Sequence, residues 1–154
     1  MKSNLDCDET VCNEINPLQF KPNTNTNTTQ KVECPPDRAK VGKAGWTLFH
    51  TTAAYYPNDP TEEDKKHYYD FFATIPFVYP CKHCATDFER YLKKSPPEVE
   101  NRETLCVWLC RMHNKVNQKL GKKVFPCRMK DLDRRWRKNT EECSGFINPE
   151  DIVN

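Results

Sequence analysis

Nine cysteines in 154 residues constrain this chain more than any other feature. They are Cys7, Cys12, Cys34, Cys81, Cys84, Cys106, Cys110, Cys127 and Cys143. A cytosolic enzyme rarely carries so many unless they bind metal or do redox work, and an odd number leaves one thiol over after pairing. A secreted disulfide protein should open on a signal peptide. This chain opens Met1-Lys2-Ser3-Asn4-Leu5-Asp6, with Asp8 and Glu9 close behind. That stretch has no apolar h-region and is not a basic, acid-poor presequence. The expectation is an oxidising or redox-active setting reached without a visible address. The Asn27-Thr28-Thr29 sequon then has no consequence, because glycosylation needs the secretory route.

Composition narrows the class. Formal net charge is +2, from 24 basic and 22 acidic residues, so bulk electrostatics do not select nucleic acid as a partner. No apolar run approaches the ~18 residues of a membrane span. Four glycines leave neither a G-x-G-x-x-G nor a P-loop. The hydrophobic fraction of 36% supports one domain with a modest core, plus a tail.

Residues 1–33 differ from the rest. Asn23-Thr24-Asn25-Thr26-Asn27-Thr28-Thr29 is polar and low in complexity, flanked by Pro17 and Pro22. Such a stretch buries too little surface to offset its ordering entropy, so 1–33 reads as a flexible arm carrying Cys7 and Cys12. Residues 34–143 read as the folded domain and 144–154 as a tail.

From Cys34 onward the periodicity is helical. Pro35-Pro36-Asp37 opens a first helix, with Val41, Gly45, Leu48, Phe49, Thr52, Ala53 and Tyr56 recurring at threes and fours. Pro57 and Pro60 stop it. Thr61 with Asp64 makes a capping-box start to a second, striped by Tyr68, Phe71, Phe72 and Ile75. Pro76 and Pro80 predict that this helix ends or kinks there. A third helix begins at Cys81 and stops at Ser95-Pro96-Pro97. Asn101 caps a fourth, with Leu105, Trp108, Leu109, Met112, Val116 and Leu120 inward and Gly121 at its end. A short fifth spans about 130–139. With no β-branched alternation, the expected fold is all-α: a four-helix bundle plus a short fifth helix.

Cys81-Lys82-His83-Cys84 is the sharpest local motif. The amides and dipole at a helix N-terminus stabilise a thiolate, which favours Cys81 as the reactive sulfur. C-x-x-C alone leaves dithiol redox, half a zinc site and inert cysteines all open. Cys110-x-x-His113 would complete a tetrahedral zinc set with Cys81 and Cys84. Cys106, Cys110, His113 and Asn117 share one face of the fourth helix, either a hydrogen-bonded core edge or a ligand-facing wall. Lys119, Lys122 and Lys123 follow and could meet phosphates. Trp46 and His50, one turn apart, are core packing or a stacking platform, and Trp136 has the same two readings.

Taken in order, these motifs resemble the flavin-linked sulfhydryl oxidases of the Erv/augmenter-of-liver-regeneration family across residues 33–143. The matching stretches are Glu33-Cys34-Pro35-Pro36-Asp37-Arg38, Trp46-x-x-x-His50-Thr51, Ala53-Ala54-Tyr55-Tyr56-Pro57, and Tyr79-Pro80-Cys81-x-x-Cys84-Ala85. Trp108-Leu109-Cys110-x-x-His113-Asn114-x-Val116-Asn117-x-Lys119-Leu120-Gly121-Lys122 and Arg135-Trp136 complete the set. The resemblance implies FAD bound at the mouth of a helical bundle, and a homodimer. It implies Cys84 as the flavin-proximal cysteine and Cys81 as the exchange partner. Cys110–Cys127 looks like the family's structural disulfide, and Cys34 and Cys143 like the pair linking two subunits; Cys106 is then the leftover thiol. FAD contacts carried over are Arg38, Gly42, Lys43, Trp46, His50, Tyr79, Cys110, His113, Asn114, Asn117, Leu120, Lys122, Arg135 and Trp136. Lys43 stands where family members often have Arg, keeping the charge without the fork. No metal is implied.

The arm departs from the family pattern. Several relatives carry an N-terminal C-x-x-C shuttle, whereas four residues separate Cys7 and Cys12 here. The resemblance implies that Cys7–Cys12 collects electrons from a dithiol substrate and passes them to Cys81. The linker 13–33 should reach on the order of 25 Å as a random coil. Oxygen, giving hydrogen peroxide, or cytochrome c is the implied final acceptor. The mitochondrial intermembrane space is the implied compartment, and its disulfide-relay import receptor the implied partner.

Overall fold

The computed structural model describes residues 34–137, so the arm, the C-terminal tail, Cys7, Cys12 and Cys143 lie outside the described residues. Within them the chain is helical, with no strand. The helices are α1 (Arg38–Ala54), α2 (Glu62–Val78), α3 (Lys82–Lys94), α4 (Arg102–Lys119) and α5 (Met129–Trp136). This is the expected four-helix bundle with a short fifth helix.

The helix starts follow from local chemistry. Asp37 caps α1 by accepting from the Lys40 amide at 2.8 Å. Thr61 and Asp64 form a reciprocal capping box on α2, and Asn101 with Thr104 forms another on α4. Each such cap contributes about 1 kcal/mol. Gly121, just past the end of α4, has φ +65°, a conformation that is open to glycine at little steric cost.

Packing groups the helices in two sets. α1 lies against α4 and α5, α4 also meets α5, and α2 pairs with α3. Phe72 of α2 joins these groups by meeting the Trp108 ring of α4 edge-on, with centroids 5.4 Å apart. Trp108 in turn donates its indole N–H to the Ser95 carbonyl at the end of α3, at 3.1 Å. Ala53, Phe72, Leu105 and Leu109 are fully buried at the centre. Each large apolar side chain so buried contributes roughly 1.5–3 kcal/mol. An ion pair closes the far end: Arg102 grips Asp133 of α5 through two nitrogens, at 2.6 and 3.4 Å.

As Pro76 and Pro80 predict, the second helix ends between them. α2 runs through Pro76 to Val78. Pro76 sits in the last turn, where its missing N–H costs one bond, and the Tyr79 amide still closes that turn on the Ile75 carbonyl at 2.9 Å. Three side chains read onto apolar stripes are instead turned outward: Leu48, Phe71 and Leu120 are 57%, 39% and 59% exposed. α1 turns Phe49, His50 and Ala53 toward its partners, which leaves Leu48 on the open side.

Candidate active site

Two disulfides are present among the described residues, Cys81–Cys84 and Cys110–Cys127. Cys81 is the N-cap of α3, and its sulfur accepts the Cys84 amide at 3.3 Å. A sulfur in that position faces the unpaired amides and positive dipole end of the helix, which favours its thiolate. Both cysteines are only partly buried, so an incoming thiol has access. Cys110 is buried and ties α4 to the chain entering α5. With these four sulfurs bonded in pairs, the zinc set of Cys81, Cys84, Cys110 and His113 loses its thiolates.

The second element is a cluster of flat rings from three helices. Trp46 of α1 stacks on His113 of α4, with centroids 4.0 Å apart and planes within 5°. His50 of α1 stacks on Trp136 of α5 at 4.6 Å and 3°. The two histidines meet between the stacks, His50 Nε2 lying 3.0 Å from His113 Nδ1. Burial, then the neighbouring His113 and Arg135, drive the His50 pKa down to about 3. Burial, then Lys122 and Arg135, drive that of His113 down to about 4. Both imidazoles are therefore uncharged at neutral pH, and one donates to the other. The Arg135 guanidinium lies over the Trp136 ring, 5.0 Å from its centroid. Trp46, His50, His113, Arg135 and Trp136 thus come together, and both tryptophans also pack against the core.

Tyr79 lies beside the bare backbone of α1: a β-carbon on Gly45 would touch its ring at 3.5 Å, and one on Gly42 would stand 4.0 Å from its hydroxyl. Asn117 reaches Asn114 at 3.5 Å, and its carbonyl accepts the Lys122 amide at 2.8 Å. Asn114 has a separate job, clamping Phe125 by giving to its carbonyl and accepting from its amide, both at 2.8 Å. Arg38, Lys43, Leu120 and Lys122 are exposed. Cys106 is buried, donates to the Ala53 carbonyl at 3.1 Å, and is pushed up to about 11 by burial, so it is a poor nucleophile.

Lys119 does not stand free to meet a phosphate. Its ammonium is bonded to the carboxylate of Asp87 on α3 and lies 3.2 Å from His83 Nε2. Asp87 had no sequence signal of its own beyond its place one turn after His83.

Comparison with known proteins follows the same residues. The family model described as the Erv1 / Alr family matches residues 43–137. The chain is 42% identical over 117 residues to the mitochondrial FAD-linked sulfhydryl oxidase ERV1 of Saccharomyces cerevisiae, a match covering 76% of this chain and 60% of the yeast protein. It is 37% identical over 137 residues to the FAD-linked sulfhydryl oxidase ERV1 of Arabidopsis thaliana, covering 84% of this chain and 71% of the plant protein. Among solved structures, the yeast Erv1 core superposes with a TM-score of 0.68 at 38% identity, covering 79% of this chain and 97% of that one. The FAD binding domain of Erv1 from Saccharomyces cerevisiae gives 0.63 at 42% identity, covering 67% and 96%.

Proposed function

The chain belongs to the Erv1/Alr family, and from that premise we propose that it is an FAD-dependent thiol oxidase that makes disulfides from dithiols. The single observation that carries the reading is a partly buried Cys81–Cys84 disulfide at a helix N-terminus, in a fold that also builds a multi-helix ring cluster. The ring cluster suits the cofactor. A flat heterocycle joined to a pyrophosphate needs stacking faces, uncharged edge partners and fixed cations. Trp46 and Trp136 offer the faces, His50, His113 and Asn117 the neutral edges, and Lys122 and Arg135 the charge, with Arg38 and Lys43 on the first two turns of α1. When bound, FAD would supply a two-electron acceptor for the dithiol and a donor to oxygen or cytochrome c.

The exchange chemistry belongs to the cysteines. A substrate thiolate attacks Cys81 Sγ, forming a mixed disulfide, and the Cys81–Cys84 bond breaks with Cys84 leaving as a thiolate. The substrate's second thiolate then attacks its own sulfur in the mixed disulfide and releases Cys81 as a thiolate. The substrate has lost two electrons and two protons, and the electron pair now resides on Cys81 and Cys84. Amides at the start of α3 stabilise the thiolate that forms there. Cys84 is the residue we assign to deliver the pair to the flavin.

The wider assignments rest on the same premise. The arm's Cys7–Cys12 serves as a shuttle between protein substrate and Cys81. Two copies form a homodimer linked through Cys34 and Cys143. The compartment is the intermembrane space of the mitochondrion, in keeping with the mitochondrial name of the yeast relative, and the substrate is the disulfide-relay import receptor. Among the described residues no helix is long and apolar enough to cross a membrane.

The first test is the visible spectrum of the purified chain before and after anaerobic dithiothreitol. A flavin band that bleaches supports the proposal, and a colourless protein refutes it. Cys84→Ser should retain the band and lose turnover; retention of most activity would remove Cys84 as the donor.

A further inference from the structure

α3 carries the redox disulfide, whereas α4 carries His113 and Asn117. α3 is laid mainly along α2, which contributes nothing to the stacked rings. The link between the disulfide-bearing turn and the ring-bearing helix is therefore made by side chains. Trp108–Ser95 and the Lys115 ammonium over the Tyr91 ring, 5.4 Å from its centroid, tie the two helices along the body and far end of α3. At the cysteine end Phe88, one turn after Cys84, meets the Trp46 ring of α1 edge-on at 6.3 Å, and Lys119, the last residue of α4, reaches across to α3. Its ammonium has three donors and two partners within reach. They are Asp87 Oδ2 and, at 3.2 Å, Nε2 of His83, which sits between Cys81 and Cys84. Asp87 is buried, and its other oxygen takes Arg90 at 3.1 Å. The Lys119 contact, first among its causes, holds the Asp87 carboxyl below the ordinary range.

We propose that Lys119, Asp87 and His83 form a positioning clamp that holds the Cys81–Cys84 turn on the C-terminal end of α4, so that the reduced cysteine faces the bound flavin at reacting distance. None of the three exchanges electrons or a disulfide. The clamp rests on the oxidase reading and adds to it a requirement on geometry. Misplacing a reacting group by 1 Å costs on the order of a hundredfold in rate. Lys119 is 42% exposed and His83 is 72% exposed, so substituting either should not prevent folding.

The test separates the two half-reactions of the flavin-loaded full chain. Wild type, K119M, K119R and H83A are mixed anaerobically with saturating dithiothreitol, and bleaching of the flavin band is timed. The reduced samples are then mixed with oxygen and recovery of the band is timed. K119M should bleach about 10- to 100-fold more slowly. Its flavin content, melting temperature and reoxidation rate should match wild type. K119R, which keeps the charge and donors, should recover most of the rate, and H83A should lose less than K119M. Bleaching of K119M at the wild-type rate overturns the clamp and leaves the oxidase reading intact. Slow bleaching accompanied by lost flavin or a lowered melting temperature also overturns it, because the residues then serve general stability. A wild-type chain with no bleachable band removes the oxidase reading, and the clamp with it.

Discussion

Acidification from pH 7 to pH 5 should weaken the fold through the paired histidines of the ring cluster. His50 and His113 have folded pKa values of about 3 and about 4, against 6.5 for an ordinary histidine. Folded values below the unfolded one mean that the unfolded chain binds more protons at mildly acidic pH. The stabilisation is therefore complete above pH 6.5, is lost as pH falls below it, and stops changing beneath the folded values. One pKa unit is worth ~1.4 kcal/mol, so between pH 6.5 and 5 His50 should cost about 2 kcal/mol. His113, less deeply buried, should cost somewhat less, giving roughly 3–4 kcal/mol together. With a urea slope of about 1–3 kcal/mol per molar, the unfolding midpoint should fall by about 1–4 M. The carboxyls of Asp64 and Asp87 are held below the ordinary range, so their contribution is lost at lower pH and leaves this window to the histidines. The assay is urea unfolding followed by tryptophan fluorescence at both pH values, at matched flavin content. Wild type is compared with His50→Gln/His113→Gln, which should lose most of the difference. A wild-type midpoint that does not move, or an equal fall in the double variant, would refute the reasoning.

Four further outcomes follow, three of them from particular contacts. Replacing both Cys110 and Cys127 by Ala opens a loop with a sequence separation of 17, which chain entropy values at about 3 kcal/mol, read as a lowered urea midpoint without reductant. Arg102→Met leaves Asp133 charged in a site where its side chain is 14% exposed; the cost should be about 3–5 kcal/mol by denaturant titration, falling sharply when Asp133→Asn is added. Tyr56→Phe removes a 2.7 Å bond to the Val99 carbonyl at a residue 1% exposed, and should cost about 1 kcal/mol with flavin content unchanged. Cys7→Ser should spare oxidation of dithiothreitol and slow oxidation of a protein dithiol; equal rates on both would remove the shuttle.

Much of the fold was legible because the signals are local. Asp37, Thr61 and Asn101 announce helix starts with their own side chains, and Gly121 announces an end with its backbone freedom. The order of motifs from Trp46 to Trp136 likewise pointed to the family that the comparisons bear out. What was not legible depends on which neighbour arrives. Leu48 and Leu120 fit a helical stripe as well as Phe49 and Met112 do, yet only the latter pair meets another helix. Pro76 warns of a helix end, but it cannot say how close that end already is.

The candidate site divides in the same way. Residue type and spacing alone determined that Cys81 and Cys84 could close on one another at a helix start, because three residues of chain set that distance. They also determined that Trp46 and His50 share a face. Only the tertiary structure decided that His50 meets His113, 63 residues away, between two stacked tryptophans, and that their burial strips both imidazoles of charge at neutral pH. Only it committed Lys119 to Asp87 and His83 and Asn114 to the Phe125 backbone, since a charged or amide side chain takes its role from the partner that packing brings within about 3 Å.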